Sequence, residues 1–286
     1  MRRIAIMQGR LLPPQNASFQ CFPRERWREE FPLAAEAGLD AIEWIYDLQG
    51  ADVNPIATDE GVAEMRDLAG KSAIAVVSMC ADYCMDRPLV TAAPGELEQI
   101  TAELVWLIGR CSSAGIARMV VPFVDNSRIE TPGQEARVVA ALQRTIAPAA
   151  ADAGVEIHLE TSLEPDSFSR LLDSLPSPWL KANYDSGNSS SLGYDVRREL
   201  AAYGVRIGSV HIKDRVRGGG TVPLGTGDAD IPALLSGLRA IGYPGDFVLQ
   251  AARGEPGGEV QWARHNREFL LRELERASLA EAGGAQ

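Results

Sequence analysis

Four polar side chains in this sequence have the chemistry to hold a divalent cation, and each stands near the end of a short apolar run. Glu160 lies in HLET, Asp185 in NYDSGN, His211 in VHIKDR, and Gln250 closes VLQ. Two carboxylates, an imidazole and an amide make a mixed oxygen and nitrogen donor set. Mn2+ is favoured, and Mg2+, Co2+ or Zn2+ also suit these ligand types. Each residue alone has a plainer reading, since a strand-end carboxylate is often a helix cap and a lone histidine a satisfied core residue. As a group they resist it, because carboxylates gathered in a closed space are costly without a cation.

For these groups to meet, the apolar runs must be strands whose C-terminal ends open on one side. Eight such runs occur, at 4–7, 41–46, 74–79, 119–124, 156–160, 180–184, 207–212 and 247–250. Segments with helical periodicity lie between them, among them 96–108 and 136–146. Gly38, Gly115, Gly154, Gly204 and Gly242 each fall between a helical segment and the next strand, where a left-handed residue commonly ends a helix. Eight strand–helix units predict a closed α/β barrel, a (βα)8 TIM barrel with its active site at the C-terminal ends of the strands. The GxGxxG turn of a doubly wound sheet is missing after the first strand, where MQGRLLPP follows. A single domain over 1–276 is expected, with 277–286 as a flexible tail.

Composition agrees. The chain has 286 residues, 45% hydrophobic and 23% charged, with a net charge of −11. That charge disfavours nucleic acid as a partner. Its four cysteines lack the spacing of a disulfide framework, and Cys80 and Cys84 have no second Cys or His pair to complete a structural zinc site. No stretch has the length of a membrane span and the first residues lack a signal-peptide core, so a cytoplasmic protein without membrane contact is expected.

NYDSGN and VHIKDR, with LET around Glu160, resemble the metal motifs of the xylose isomerase-like sugar isomerases and epimerases, and the resemblance runs through the whole barrel. It implies that Glu160, Asp185 and His211 are metal ligands, that Gln250 takes the place of the family's last glutamate, and that the substrate is a small sugar or sugar phosphate. It also implies a homodimer or homotetramer. Two positions depart from the family's pattern. Ketose 3-epimerases pair glutamates at the ends of strands five and eight, but an amide at Gln250 cannot act as a base near neutral pH. Asn188 stands where several members have a substrate-binding histidine. With one carboxylate fewer, the four ligands and a 2+ ion sum to zero charge, so the ion polarises a carbonyl more strongly.

Glu160 is accordingly read as the single base, beside a metal-polarised carbonyl. Glu43, ending the second strand in IEW, and Asn188 are candidate substrate contacts. So are Lys213 and Arg217 in the glycine-rich KDRVRGGGTVPLGTGDAD, a segment placed to meet a phosphate or other anion. Its basic side chains could instead pair with Asp214, Asp228 or Asp230. His158 shares the parity of Glu160 and is expected inside the barrel, whereas His265 is expected at the surface. Three other functions compete: a metal-dependent dehydratase of a keto-polyol, a non-catalytic sugar-binding barrel, and a phosphodiesterase like the abasic-site endonucleases, which share the barrel but gather many histidines. This chain has three.

Overall fold

The computed structural model describes residues 2–14 and 19–284, with side chains through 279. Eight parallel strands close into a ring: Ile4–Met7, Ala41–Ile45, Ala75–Cys80, Arg118–Phe123, Glu156–Thr161, Leu180–Asp185, Ile207–Ile212 and Phe247–Leu249. Each pairs with its neighbours in chain order, and Ile4 to Ile6 pair with Phe247 to Leu249 to shut the ring. The (βα)8 expectation holds. Between the strands run helices whose apolar faces cover the ring; Ile100, Leu104, Leu107 and Ile108, for example, are the buried side of Pro94–Ala114. Trp44, fully buried, packs with Phe22, Trp27 and Phe31. Tyr46 packs against Tyr83 and Trp106.

Two register shifts interrupt the ladders. Ile42 and Glu43 pair with Val76 and Ser78, so Val77 is extra; Ala182 and Asn183 pair with Ile207 and Ser209, so Gly208 is extra. A bulge of this kind re-aims the side chains beyond it. Here those side chains are Glu43, Ser78, Asn183, Ser209 and, two residues further, His211. The Gly208 bulge has a steric reason to be glycine, since a Cβ there would come within 2.4 Å of His158 Nε2.

Some local expectations need correction. Gly38, Gly115, Gly154 and Gly242 are left-handed as anticipated, but Gly204 is not. It has φ −53° and begins the short 3-10 helix Gly204–Arg206. The helical segment at 136–146 begins at Thr131, whose side chain accepts from Gln134 N, and carries on through a π turn, Leu142–Ile146, into Ala147–Ala153. The last helix spans Glu259–Gly284 and so runs into the segment read as a tail; 285 and 286 lie outside the described residues. Among the described residues no helix is long and apolar enough to cross a membrane, and none of the four cysteines is in a disulfide.

The two kinds of glycine separate cleanly by mutation. At Gly154, φ is 69° and nothing lies within 4 Å of a new Cβ, so alanine there pays only the left-handed strain, about 1–2 kcal/mol. At Gly204 the backbone is right-handed and the nearest atom is the flexible end of Ile241 at 3.1 Å, so alanine should stay within about 0.5 kcal/mol of the parent. Urea unfolding of Gly154→Ala and Gly204→Ala measures both, and equal losses would defeat the assignment.

Candidate metal centre at the barrel mouth

Strands five, six and seven bring Glu160, Asp185 and His211 together. One ligand atom from each lies within 4.8 Å of the others, and all three residues are buried. His211 Nδ1 is 3.3 Å from Glu160 Oε2 and 3.9 Å from Asp185 Oδ2. Its other nitrogen, Nε2, is 2.7 Å from Glu43 Oε1. Burial opposes a charge on His211, but Glu43 and Glu160 outweigh it and hold the imidazole well above its ordinary pKa. Burial likewise opposes the charge on Glu43, and the facing His211 wins there too, holding that carboxyl below its usual value.

This places Glu43 differently from the expected sugar contact. Its carboxylate is fully buried behind His211, accepts from Ser78 Oγ at 2.5 Å, and does not line the cavity. A carboxylate behind a histidine selects the tautomer with the proton on the rear nitrogen, which leaves the front lone pair for a metal. The donor set therefore fits a divalent ion. Two buried carboxylates and Nδ1 face one another, while Glu43 Oε1 and His211 Nε2, though close, lack an aligned hydrogen bond as they stand.

Five of the six residues of NYDSGN have a task here. Asn183 donates from Nδ2 to Glu160 Oε2 at 2.9 Å and accepts at Oδ1 from Ser209 Oγ at 2.6 Å. Asp185 uses Oδ1 to cap its own helix at Asn188 N, 2.8 Å, and leaves Oδ2 toward the site. Ser186 Oγ donates to Lys213 O at 2.6 Å, tying strand six to strand seven. Gly187 admits the Lys213 stem, because a Cβ there would sit 2.5 Å from Lys213 Cγ. Asn188 donates from Nδ2 to Glu160 Oε1 at 2.6 Å, so both oxygens of Glu160 are held by amides. Asn183 escaped notice in the sequence although it lies two residues from Asp185, the spacing that puts strand side chains on one face.

Lys213 and Gln250 complete the floor. Lys213 Nζ lies 3.4 Å from Asp185 Oδ2, 3.3 Å from Asn188 Oδ1 and 3.2 Å from Gln250 Oε1. Gln250 thus joins the cluster through Lys213, and its amide donates in turn to Gln20 Oε1 at 3.0 Å. The site opens into a cavity of about 570 Å3, lined by Glu160, Asn188, Lys213, Gln250 and Arg215 among others. Arg217, expected at the substrate, is exposed and does not line it; Arg215 does, and donates from Nη1 to Asn188 Oδ1 at 3.0 Å. One residue separates them, and the turn that begins at Val216 decides which arginine faces inward. His158 is inside the barrel below Glu160, as its parity predicts, and His265 is exposed against Trp262.

L-ribulose-5-phosphate 3-epimerase UlaE of Escherichia coli is 31% identical over 112 residues, a match that spans 38% of this chain and 38% of that protein. Among solved structures, an L-ribulose 3-epimerase superimposes with TM-score 0.78 at 20% identity, covering 100% of this chain and 99% of that one. D-allulose 3-epimerase from Methylomonas sp. gives 0.73 at 20% identity, covering 96% and 99%. Likeness at that identity shows a shared fold. A family model extends it to sequence, matching residues 31–273, and the chain belongs to the xylose isomerase-like TIM barrel family.

Proposed function

We propose that this protein is a divalent-metal-dependent isomerase or epimerase of a small ketose or ketose phosphate, with Glu160 as the base that takes the proton next to the carbonyl. One observation carries the reading: Glu160, Asp185 and His211 converge, buried, at the floor of a cavity large enough for a sugar. The epimerase names of the partial relative and of the solved structures support it.

Glu160, Asp185 and His211 would hold the ion, which supplies polarisation of a carbonyl or hydroxyl when bound. Gln250 Oε1 accepts from Lys213 with one lone pair, and its second lone pair would make it the fourth donor. The chain's own groups do the rest. Asn183 and Asn188 fix the Glu160 carboxylate in its plane, so the base needs no reorientation to meet a C–H. On the Gln250 flank the proton-carrying group is Lys213, because the amide neither gains nor gives a proton near neutral pH. A single carboxylate base also serves elimination of water from a keto-polyol, and Gln250 is the observation that favours this second reading. Deuterium entering recovered or product ketose from heavy water without loss of water separates the two.

Replacing Glu160 by Gln should lower turnover by roughly 10²–10⁴-fold, the usual worth of a positioned base. Exchange of solvent deuterium should fall in step; undiminished exchange would remove Glu160 from the role. Glu43→Gln should weaken Mn2+ binding by about 10–100-fold, as loss of a carboxylate behind a metal-bound histidine does, read by calorimetry. Unchanged affinity would make the contact with His211 merely structural. Because a proton on His211 competes with the ion, affinity should be weaker at about pH 6 than at about pH 8. Chelation should abolish turnover and Mn2+ restore it. Finally, Gln250→Glu should tighten the metal without raising turnover on the true substrate; a strong rise would show that the amide is not tuned for this chemistry.

A further inference from the structure

We infer that the site takes an unphosphorylated ketose. This rests on the reading above and selects between the two substrate classes it leaves open. Three observations bear on it, all concerning where an anionic phosphate would find positive charge.

The first is the cavity wall. Asp47, Asp82, Asp86, Asp125 and Glu160 line it, against Lys213 and Arg215. Glu160 belongs to the metal with Asp185, which leaves four carboxylates facing two cations. Discounting Asp82, whose carboxyl is pushed up to about 6 by burial, the carboxylates still outnumber them. A phosphate monoester brings a charge near −2 at neutral pH into that field.

The second is that both cations are engaged. Lys213 contacts Asp185, Asn188 and Gln250. Arg215 spends Nε and Nη2 on Gly219 O, at 3.1 and 2.8 Å, and Nη1 on Asn188. Those bonds take three of its five N–H groups, and the Nε–Nη2 fork, one of the two that could grip a phosphate bidentately, is closed on Gly219 O.

The third concerns the glycine-rich segment after strand seven. Backbone amides in such a segment form a concave anion receptor, and here the chain fills it itself. Asp214, fully buried, accepts at Oδ2 from Gly225 N and Gly227 N, 2.9 and 3.0 Å, and at Oδ1 from Ala229 N, 3.1 Å. Gly227 is packed onto that carboxylate so closely that a Cβ would stand 2.3 Å from Asp214 Oδ1. Those amides are bound to Asp214 and none of the residues that carry them lines the cavity, so they are not offered to an external phosphate. Sugar hydroxyls make no such demand, because each can donate to a wall carboxylate that has a free lone pair.

Calorimetry on the full-length protein, with and without Mn2+, tests this using inorganic phosphate, L-ribulose and L-ribulose 5-phosphate. Without Mn2+, inorganic phosphate should show no saturable binding below roughly 10 mM, and with Mn2+ the ester should bind at least tenfold more weakly than the free sugar. Metal-independent phosphate binding below about 1 mM, or tighter binding of the ester, would overturn the inference. The double variant Asp86→Asn/Asp125→Asn, which removes two wall charges without touching the metal ligands, should improve binding of the ester more than that of L-ribulose; an equal or opposite effect counts against it. Deuterium exchange is scored separately over several ketoses and their esters. Failure of every sugar to exchange would defeat the proposed function, whereas exchange confined to esters would defeat this inference alone.

Discussion

A column of polar side chains, part-exposed at Lys181 and Glu156 and buried from His158 upward, each satisfied by the next, governs how this barrel can be built. Lys181 Nζ donates to Glu156 at 2.5 Å; Glu156 contacts His158 Nε2 at 3.0 Å; His158 Nδ1 meets Ser209 Oγ at 2.7 Å; and Ser209 passes the contact to Asn183. From Asn183 it reaches Glu160 and lies 3.2 Å from His211. Barrel interiors are usually filled by branched apolar layers. Here a polar seam runs from the lower end of strands five to seven up to the candidate metal centre. Leaving one member unpaired would cost about 1–3 kcal/mol, so the members fix one another's orientation. Asn183 illustrates the logic. Its oxygen is claimed by Ser209 and its nitrogen must then face Glu160, which presents the carboxylate to the mouth in one pose.

The same economy appears above the seam. NYDSGN assembles the site because a strand, a helix cap and a tight approach fall within six residues. Asp185 belongs to both the strand and the helix that follows, and so splits its two oxygens between backbone and site. Lys213 reaches the floor only over Gly187. Glu43 and Ser78 brace His211 from the far side, on strands two and three. Five strands thus contribute to the candidate centre, whose three clustered ligand candidates come from strands five, six and seven.

Much of this was legible in the residues. All eight strands fall where the apolar runs predict, and the three side chains that cluster, Glu160, Asp185 and His211, are ones that residue type and position near strand ends single out. What the pattern could not convey is position across a bulge. Period-two reasoning assumes an unbroken ladder, and the extra residues Val77 and Gly208 break it at the places where Glu43 and Ser209 turn toward the seam. Gly204 misled for a related reason: its spacing matched the other junctions, but the helix before it ends by tightening into a 3-10 turn instead of reversing through a left-handed residue. Arg215 and Arg217 have the same chemistry and parity, so only the path of the loop distinguishes them. Gln20 sits in the loop after strand one, where no periodic signal exists to connect it with Gln250.

The carboxylate of Asp214 has a dynamic consequence. A segment so rich in glycine ordinarily samples many shapes, and a ligand that ordered it would lose affinity to the lost freedom. With Gly225, Gly227 and Ala229 tied to one buried side chain, and Thr221–Val222 paired to Asp214–Arg215, that ordering is completed during folding. The rim beside Arg215 is therefore a fixed wall, its shape and polarity set by the chain's own folding.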